Sequence, residues 1–201
     1  MQAFLQGMGV GAGLIMAIGA QNVFVLSQGI RKQYHWLIAM ICSLSDVLLI
    51  FIGAAGVGTL VAGNHVLQAG AAWLGAAFLS WYGLRAFIGI FKDHALEQKN
   101  RGDSNVRVVV LTALALTFLN PHVYIDTILL LGSIGGQYPT GDRYLFALGA
   151  SVSSIAWFFS LSLGGALLAP LFKKSFSWKI LNVFVCLTMW TIAVQLVMME
   201  V

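Results

Sequence analysis

A short segment in the second half of the chain gathers residues that are out of place in an apolar stretch: Asn120, Pro121, His122, Tyr124 and Asp126. Because proline has no backbone N–H and its ring clashes with the preceding turn, a helix kinks or breaks at this point. Amide, imidazole and carboxylate groups are unfavourable in hydrocarbon unless they face protein or a wet cavity. The segment therefore predicts a broken membrane helix that holds a polar ligand.

A second interruption is predicted in the first apolar stretch, where Gln21 and Asn22 follow Gly19 and Ala20. Two interrupted hydrophobic segments, one in each half of a chain, are typical of a transporter whose ligand binds at a repeat interface. The N-terminus of a half-helix favours an anionic group such as an α-carboxylate. The alternative is that both amides make hydrogen bonds between helices, worth about 0.6 kcal/mol each.

Three ionisable side chains inside apolar stretches are candidates for moving charge. Asp46 lies in the middle of the second stretch, where a carboxylate is costly, so we interpret it as the coupling group that takes either a proton or a substrate cation. Asp126 lies nearer the end of its stretch and is either a second ligand-binding acid or an acid that reaches the surface. His122 is either a proton carrier or a packed, hydrogen-bonded ring, and the sequence leaves both open.

The composition indicates the class of protein to which these residues belong. Apolar residues make up 59% of the 201 residues and charged residues 9%, and the mean hydropathy is +0.88. Soluble domains have roughly 45–50% apolar and about 25% charged residues. Long uninterrupted apolar runs are typical of membrane helices rather than of membrane strands, which alternate. We therefore predict an all-α integral membrane protein.

Six apolar runs account for most of the chain and leave no room for a soluble domain. We number them run one to run six, and each is long enough to cross a bilayer. Their bounds are Phe4–Ser27, Trp36–Val61, Val66–Phe91, Val108–Ser133, Tyr144–Leu168 and Ile180–Met199.

The basic residues predict the orientation of the six runs. Ten of the 11 Lys and Arg residues fall at one end of the spans and only Arg143 falls at the other. The ten are Arg31, Lys32, Arg85, Lys92, Lys99, Arg101, Arg107, Lys173, Lys174 and Lys179. Since cytoplasmic loops are rich in Lys and Arg, both termini are predicted to lie outside the cytoplasm.

Because each half contains three runs, the second half must cross the membrane in the opposite orientation to the first. The halves are predicted as two inverted three-helix repeats, 1–91 and 108–201, joined by a cytoplasmic loop at 92–107, with helices one and four interrupted. Three pairs of positions match in order. They are Ser43-Leu44-Ser45-Asp46 with Ser151-Val152-Ser153-Ser154, Asn22 with Asn120, and Trp81 with Trp190.

Several kinds of chemistry have no support in the sequence. No P-loop, Gly-x-Ser-x-Gly elbow or His-Glu-x-x-His motif occurs, so we predict neither an enzyme nor a cofactor or metal site. Cys42 and Cys186 lie in apolar runs and are expected to be buried free thiols. The net charge of +4 does not indicate a nucleic-acid partner, because basic residues cluster at helix ends and meet lipid headgroups there. Arg85 is interpreted as such an anchor.

Four motifs together give the sequence a family resemblance. They are Gly19-Ala20-Gln21-Asn22, Gln28-Gly29-Ile30-Arg31, Ser45-Asp46 and the segment from Leu119 to Asp126. In combination they resemble the LysE family of bacterial amino-acid exporters, and its arginine-exporting branch most of all. The resemblance implies export of L-arginine or L-lysine driven by ion gradients. Where the family usually has Pro, this chain has Ala20, which predicts a softer break in run one.

Two other functions compete with export of a basic amino acid. A metal-cation transporter of the same superfamily would need six or more oxygen ligands for a hard divalent ion, and two separated carboxylates are few for that. A membrane electron carrier would need thiols at matching places in the two halves, but Cys42 is in run two and Cys186 in run six. The sequence leaves open arginine or lysine, the coupling ion, for which protons are expected, and the oligomeric state, a homodimer being one alternative.

Overall fold

The computed structural model describes residues 1–16, 19–57, 65–91, 105–173 and 175–200, and all regular structure in these ranges is helical. Most of the predicted connecting loop at 92–107 lies outside the described ranges. The predicted site residues Pro121 and His122 are described by their backbone alone.

Nine α-helices make up most of the described fold. They are α1 (Gln2–Ile15), α2 (Ala20–Arg31), α3 (His35–Ile52), α4 (His65–Ile90), α5 (Val106–Phe118), α6 (Pro121–Tyr124), α7 (Leu131–Gly136), α8 (Thr140–Leu168) and α9 (Ser175–Glu200). Two π-helical turns, Gly53–Val57 and Ile125–Leu130, follow α3 and join α6 to α7. A 3-10 turn, Ala169–Lys173, follows α8.

Several of these helices are suited to a membrane, which confirms the prediction of an all-helical membrane protein. Within the described ranges, three helices are long and apolar enough to cross a bilayer, and a fourth is added if α1 and α2 form one bent span. The three are His35–Gly56, Thr140–Phe172 and Phe176–Met198. Runs three and four are represented by shorter apolar helices, Ala76–Ile90, Val106–Phe118 and Ile125–Gly136. The count of six spans therefore stays a prediction.

Run one is interrupted between α1 and α2, at what we call break one. The axes of the two helices differ by 83°. Run one is therefore interrupted although Ala20 stands where the family usually has Pro. Gly19 is extended, with φ −133° and ψ 168°, and serves as the N-cap of α2. The Asn22 side chain spans the break and donates a hydrogen bond of 3.0 Å to the carbonyl of Ile15.

Run four is interrupted at Pro121, where a break was predicted. We call this interruption break two. Helix α5 ends at Phe118, and α6 begins at Pro121, so Leu119 and Asn120 lie between two helices. The π-helical turn Ile125–Leu130 follows directly and was not predicted. Such turns in α-helical segments are frequent at functional sites.

Glycines bring α1 and α2 into close contact with α8. A Cβ on Gly7 would lie 2.0 Å from the carbonyl oxygen of Phe146, and one on Gly11 would lie 2.8 Å from the Cα of Ala150. Gly9 and Gly13 have nothing within 4 Å, so only one of the two overlapping GxxxG patterns in α1 forms the contact.

The remaining close contacts join α2 to α8 and run two to run four. Gly29 of α2 and Gly165 of α8 lie back to back, since a Cβ on either would lie 3.0 Å from the Cα of the other. Gly53 and Gly132 bring the end of run two against the second half of run four, since a Cβ on Gly53 would lie 2.9 Å from the Cα of Ile128 and one on Gly132 would lie 3.1 Å from the Cα of Gly53. Helices α4 and α9 form a further pair, in which the Trp190 indole donates a hydrogen bond of 3.3 Å to the carbonyl of Ser80.

Helix α3 shows how this packing positions a carboxylate. Met40, Leu44 and Leu48 recur on one face and are about half exposed, at 45%, 58% and 55%. The opposite face carries Asp46, which is buried at 3% exposure. An apolar face toward lipid and a polar face toward protein is the arrangement expected for a membrane helix with an ionisable residue. Cys42 is also buried on the inner side and, like Cys186, is a free thiol, as expected.

Candidate functional site

A cavity of about 230 Å³ lies between the two breaks and the inner face of α3. We call it the midspan cavity. It is smaller than the roughly 300–1,000 Å³ of pockets for drug-sized ligands, in keeping with a small metabolite. Its described lining residues are Leu14, Ile15, Gly19, Gln21, Asn22, Asp46, Asn120, Val123, Asp126, Thr127, Phe158, Ile192 and Gln195. Five of the eight residues predicted from the sequence are among them.

Asp46 reaches the cavity from α3 and also contacts α8. The Ser154 hydroxyl donates a hydrogen bond of 2.9 Å to Oδ2 of Asp46. The contact joins the serine and the aspartate that occupy matching positions in the proposed repeats. One oxygen of Asp46 is thus hydrogen-bonded to a neighbouring helix, and the same side chain still lines the cavity.

Gln21 lies beside Asp46 in the first turn of α2. Its side chain is buried, at 7% exposure. Its amide nitrogen makes no well-formed hydrogen bond in the part of the chain that the structure describes, although the carboxyl group of Asp46 and the thiol of Cys42 lie close to the Gln21 side chain. Since a buried amide N–H without an acceptor costs about 1–3 kcal/mol, a ligand oxygen or a water at this place would be favourable.

Asn22 supports break one and lines the cavity as well. Besides its bond to the Ile15 carbonyl, it accepts a hydrogen bond of 3.3 Å from the Trp157 indole of α8. The helix-to-helix hydrogen bonding considered as the alternative for this amide is therefore present. Asn22 fixes the angle between α1 and α2 and with it the position of Gln21.

Asn120 and Asp126 bring break two to the cavity. Asn120 is buried at 8% exposure, and its carbonyl accepts from the Val123 N–H at 3.1 Å, which closes the first turn after the break. Asp126 is half-buried and lies in the π-helical turn. Tyr124 is not among the described lining residues, and its hydroxyl donates a bond of 2.7 Å to the carbonyl of Phe118.

The electrostatics of the cavity favour a ligand that carries both signs of charge. Its described lining includes two carboxylates and no lysine or arginine. Gly19, at the N-terminus of α2, also lines the cavity, and the first N–H groups of a helix have no intrahelical acceptor. A helix N-terminus carries a partial positive charge that attracts anions. One wall can thus hold a cation and another an anion.

Two polar lining residues were missed by the sequence analysis. Gln195 comes from α9, and Thr127 comes from the π-helical turn. An amide inside an apolar run is the same signal that singled out Gln21 and Asn22, and it could have identified Gln195 in the last third of run six. Thr127 gives no such signal, because threonine is common in membrane helices and here bonds the Val123 carbonyl of its own segment.

Comparison with known proteins identifies the family. The profile of the LysE type translocator family matches residues 12–200. The arginine exporter protein ArgO of Serratia proteamaculans is 45% identical over 194 residues, covering 96% of this chain and 95% of that protein. The ArgO proteins of Photorhabdus laumondii and Klebsiella pneumoniae are 43% and 42% identical over 197 residues, covering 98% and 96% of this chain and 95% and 92% of their own lengths.

No solved structure matches this chain. The family match covers both breaks, α3 and every described residue of the midspan cavity. Because the family is one of translocators, the prediction of a transporter rather than an enzyme is confirmed. This protein is a multi-pass membrane protein that belongs to the LysE family of translocators.

Proposed function

We propose that this protein exports a basic amino acid, L-arginine or L-lysine or both, across the bacterial cytoplasmic membrane in exchange for protons. The observation that carries the proposal is the presence of two carboxylates, Asp46 and Asp126, on the wall of one cavity between two helix breaks. The relatives named arginine exporters support the choice of a cationic amino acid.

The midspan cavity has a complement for each charged group of such a substrate. The guanidinium or ammonium of the side chain binds Asp46, with Asp126 as the second carboxylate. The α-carboxylate binds at the N-terminus of α2 beside Gly19, where Gln21 offers an unpaired N–H. Asn120 and Gln195 supply further hydrogen bonds. Of the other predicted site residues, Tyr124 and Pro121 stabilise the interruption at break two. His122 is the proposed second proton carrier.

Asp46 is the proposed coupling group, for an electrical reason. Moving one positive charge out against an interior-negative potential of about 100 mV costs roughly 2.3 kcal/mol. The sequence contains no P-loop to supply that energy from ATP. A proton that enters as the cation leaves cancels the net movement of charge. One carboxylate can serve both steps, because it binds either the proton or the cation at a given moment.

We further propose that the two halves, 1–91 and 108–201, are inverted three-helix repeats of a six-span protein. The packing supports this, because contacts between runs one and five have a counterpart between runs four and two. Gly29 against Gly165 represents the first set and Gly53 against Gly132 the second. Runs three and six pair with each other, as do runs two and five, which is what a two-fold axis would require.

The proposed orientation places both termini in the periplasm and the Lys- and Arg-rich ends in the cytoplasm. Alkaline phosphatase or green fluorescent protein fused after Val201 tests it. Activity of the phosphatase fusion alone is expected, since that enzyme works only outside the cytoplasm. Fluorescence without phosphatase activity would overturn the orientation and reduce the number of spans.

Purified protein in proteoliposomes tests the substrate. Uptake of labelled arginine, lysine, a neutral amino acid and a divalent metal ion is measured with and without an imposed pH gradient. Accumulation of arginine or lysine that requires the gradient supports the proposal. Gradient-driven uptake of the metal ion instead would favour the cation-transporter alternative. Light scattering of the same sample measures the oligomeric state and tests the homodimer.

A further inference from the structure

A second cavity, of about 380 Å³, lies at the end of the helix bundle that is rich in Lys and Arg. We call it the basal cavity. It is formed by the C-terminal ends of α2 and α4 and the N-terminal ends of α5 and α9. Its described lining includes Gln28, Arg31, Arg85, Ile88, Val108 and Leu181.

Two arginines give the basal cavity its charge. Arg31 enters from α2 and Arg85 from α4, and no carboxylate is present among the lining residues that the structure describes. Each guanidinium lies over an indole ring, Arg31 at 5.3 Å from the centre of Trp178 and Arg85 at 5.1 Å from that of Trp81. Stacking restricts the side chains while leaving their N–H donors at the edge of the guanidinium plane. This pair is suited to an oxyanion such as phosphate.

Gln28 also lines the basal cavity and favours a ligand with a hydrogen-bond donor. Gln28 is buried at 8% exposure, and its amide oxygen has no hydrogen-bond partner within the described ranges. An unpaired buried acceptor favours a ligand that brings an O–H or N–H donor. A ligand that satisfies the arginines and Gln28 together must carry an anionic group and a donor close to it.

The side wall of the basal cavity is apolar and open toward the outside of the bundle. Ile88 and Val108 lie on this wall and are about half exposed, at 48% and 52%. Val109 and Leu181 extend the apolar surface inward. A small soluble anion would leave this wall unused, whereas the acyl chain of a lipid would cover it.

We propose that the basal cavity binds the headgroup of an anionic phospholipid that carries a hydroxyl, of the phosphatidylglycerol type. The phosphate lies between Arg31 and Arg85, the headgroup hydroxyl donates to Gln28, and an acyl chain covers Ile88 and Val108. Basic pockets between membrane helices on the cytoplasmic side are suited to such headgroups. The site is separate from the midspan cavity and of opposite charge, so it does not depend on the proposed function.

Native mass spectrometry of the purified protein tests this proposal. The protein is exchanged into mixed micelles with equal amounts of phosphatidylglycerol and phosphatidylcholine, and the ratio of the two lipids retained is measured. Wild type is expected to retain phosphatidylglycerol in excess. R31Q and R85Q should each lower the ratio by about fivefold, and the double variant should lower it further. R107Q is the matched control, because it removes one exposed arginine at the same end but outside the cavity.

Four outcomes would overturn the proposal. An unchanged ratio in R31Q and R85Q would show that the cavity does not bind the lipid. An equal fall in R107Q would reduce the effect to general surface charge. Displacement of the lipid by millimolar inorganic phosphate would assign the site to a soluble anion, and displacement by arginine would assign it to the substrate. Because the single variants each keep one guanidinium, they test the proposal even if the double variant does not fold.

Discussion

The two helix breaks line the same cavity but arise from different local chemistry. Break two has the residue expected at a break, since Pro121 begins the new helix after Leu119 and Asn120. Break one has no proline, yet its two helices meet at 83°. In both cases a side chain from the second helix donates to the carbonyl of the last residue of the first helix. Asn22 reaches Ile15 over seven residues, and Tyr124 reaches Phe118 over six.

This comparison shows that a carbonyl left without its helical partner can be satisfied from across the break. An unsatisfied carbonyl in a membrane is costly, so the bridging bond stabilises the bent form whether or not a proline is present. The breaks differ in what else the bridging residue does. Asn22 also binds Trp157 of α8 and lines the cavity, whereas Tyr124 is not among the described residues that line it.

The two halves differ in charge as well as in their breaks. Asp46 in run two and Ser154 in run five occupy matching positions in the proposed repeats and bond to each other. Only the first half therefore places a carboxylate at this contact, and the second half supplies the hydroxyl that orients it. The following variants test whether these differences between the halves matter for transport.

Asp46→Asn is expected to have the largest effect. The amide keeps the shape of the side chain but can bind neither a proton nor a cation by charge, so pH-gradient-driven export should be abolished in a folded protein. Accumulation of arginine in proteoliposomes is the measurement. Asp142→Asn is the matched control, since Asp142 is exposed in the first turn of α8. Accumulation with unchanged pH dependence in Asp46→Asn would move the coupling role to Asp126.

Asn120→Ala tests break two as a wall of the ligand site. Losing hydrogen bonds to a charged ligand costs about 2 kcal/mol, so arginine should bind about thirtyfold more weakly, with little loss of folded protein. Isothermal titration of the purified variant measures the affinity, with the exposed Gln137→Ala as the control. Binding as tight as in wild type would place the ligand elsewhere.

The residues that surround the candidate site could be predicted from the sequence, because membrane helices place strong limits on polar residues. Asp46, Asn120 and the Gln21–Asn22 pair each stand out against an apolar background, and each lines the midspan cavity. The roles of side chains that depend on tertiary packing could not be predicted from the sequence. The Phe118 carbonyl can accept a hydrogen bond from Tyr124 only because the helix breaks there. The sequence therefore does not distinguish a tyrosine that bridges the break from one that binds the ligand.

The sequence also did not predict which helices pack against each other. The GxxxG spacing in α1 is typical of close helix contacts, but the sequence does not show that Phe146 and Ala150 of α8 form this one. Contact between runs one and five depends on which glycine faces meet in three dimensions. A softer break was expected from Ala20 because the sequence shows residue types, whereas the bend is stabilised by the bond from Asn22 to Ile15.

Comparing Asn22→Ala with Tyr124→Phe tests whether each bridging residue contributes to stability alone or also to arginine binding. Tyr124→Phe removes one bond and should lower the free energy of unfolding by about 0.6 kcal/mol with arginine affinity unchanged. Asn22→Ala removes at least two bonds and an amide of the cavity, so it should lose at least twice as much stability and also bind arginine more weakly. Thermal unfolding and titration measure the two quantities. Weaker binding in a fully stable Tyr124→Phe would instead make Tyr124 a ligand-binding residue.

Ser154→Ala is expected to have the smallest effect and examines the contact between the halves most directly. Ser154 is fully buried and is not among the described lining residues of the midspan cavity, so it can act on the ligand only through Asp46. Removing its hydroxyl leaves Oδ2 of Asp46 without this donor and should weaken arginine binding about threefold, the equivalent of an average hydrogen bond in a membrane protein. Ser154→Thr keeps the hydroxyl and should retain wild-type affinity. The neighbouring Ser153→Ala is the control, because the Ser153 hydroxyl bonds the Met8 carbonyl of α1 at 2.8 Å and does not contact the site. That control should lower stability and leave the affinity unchanged.

Equal losses of affinity in Ser154→Ala and Ser153→Ala would mean that Ser154 only packs α8. The hydrogen bond between Ser154 and Asp46 would then have no effect on arginine binding.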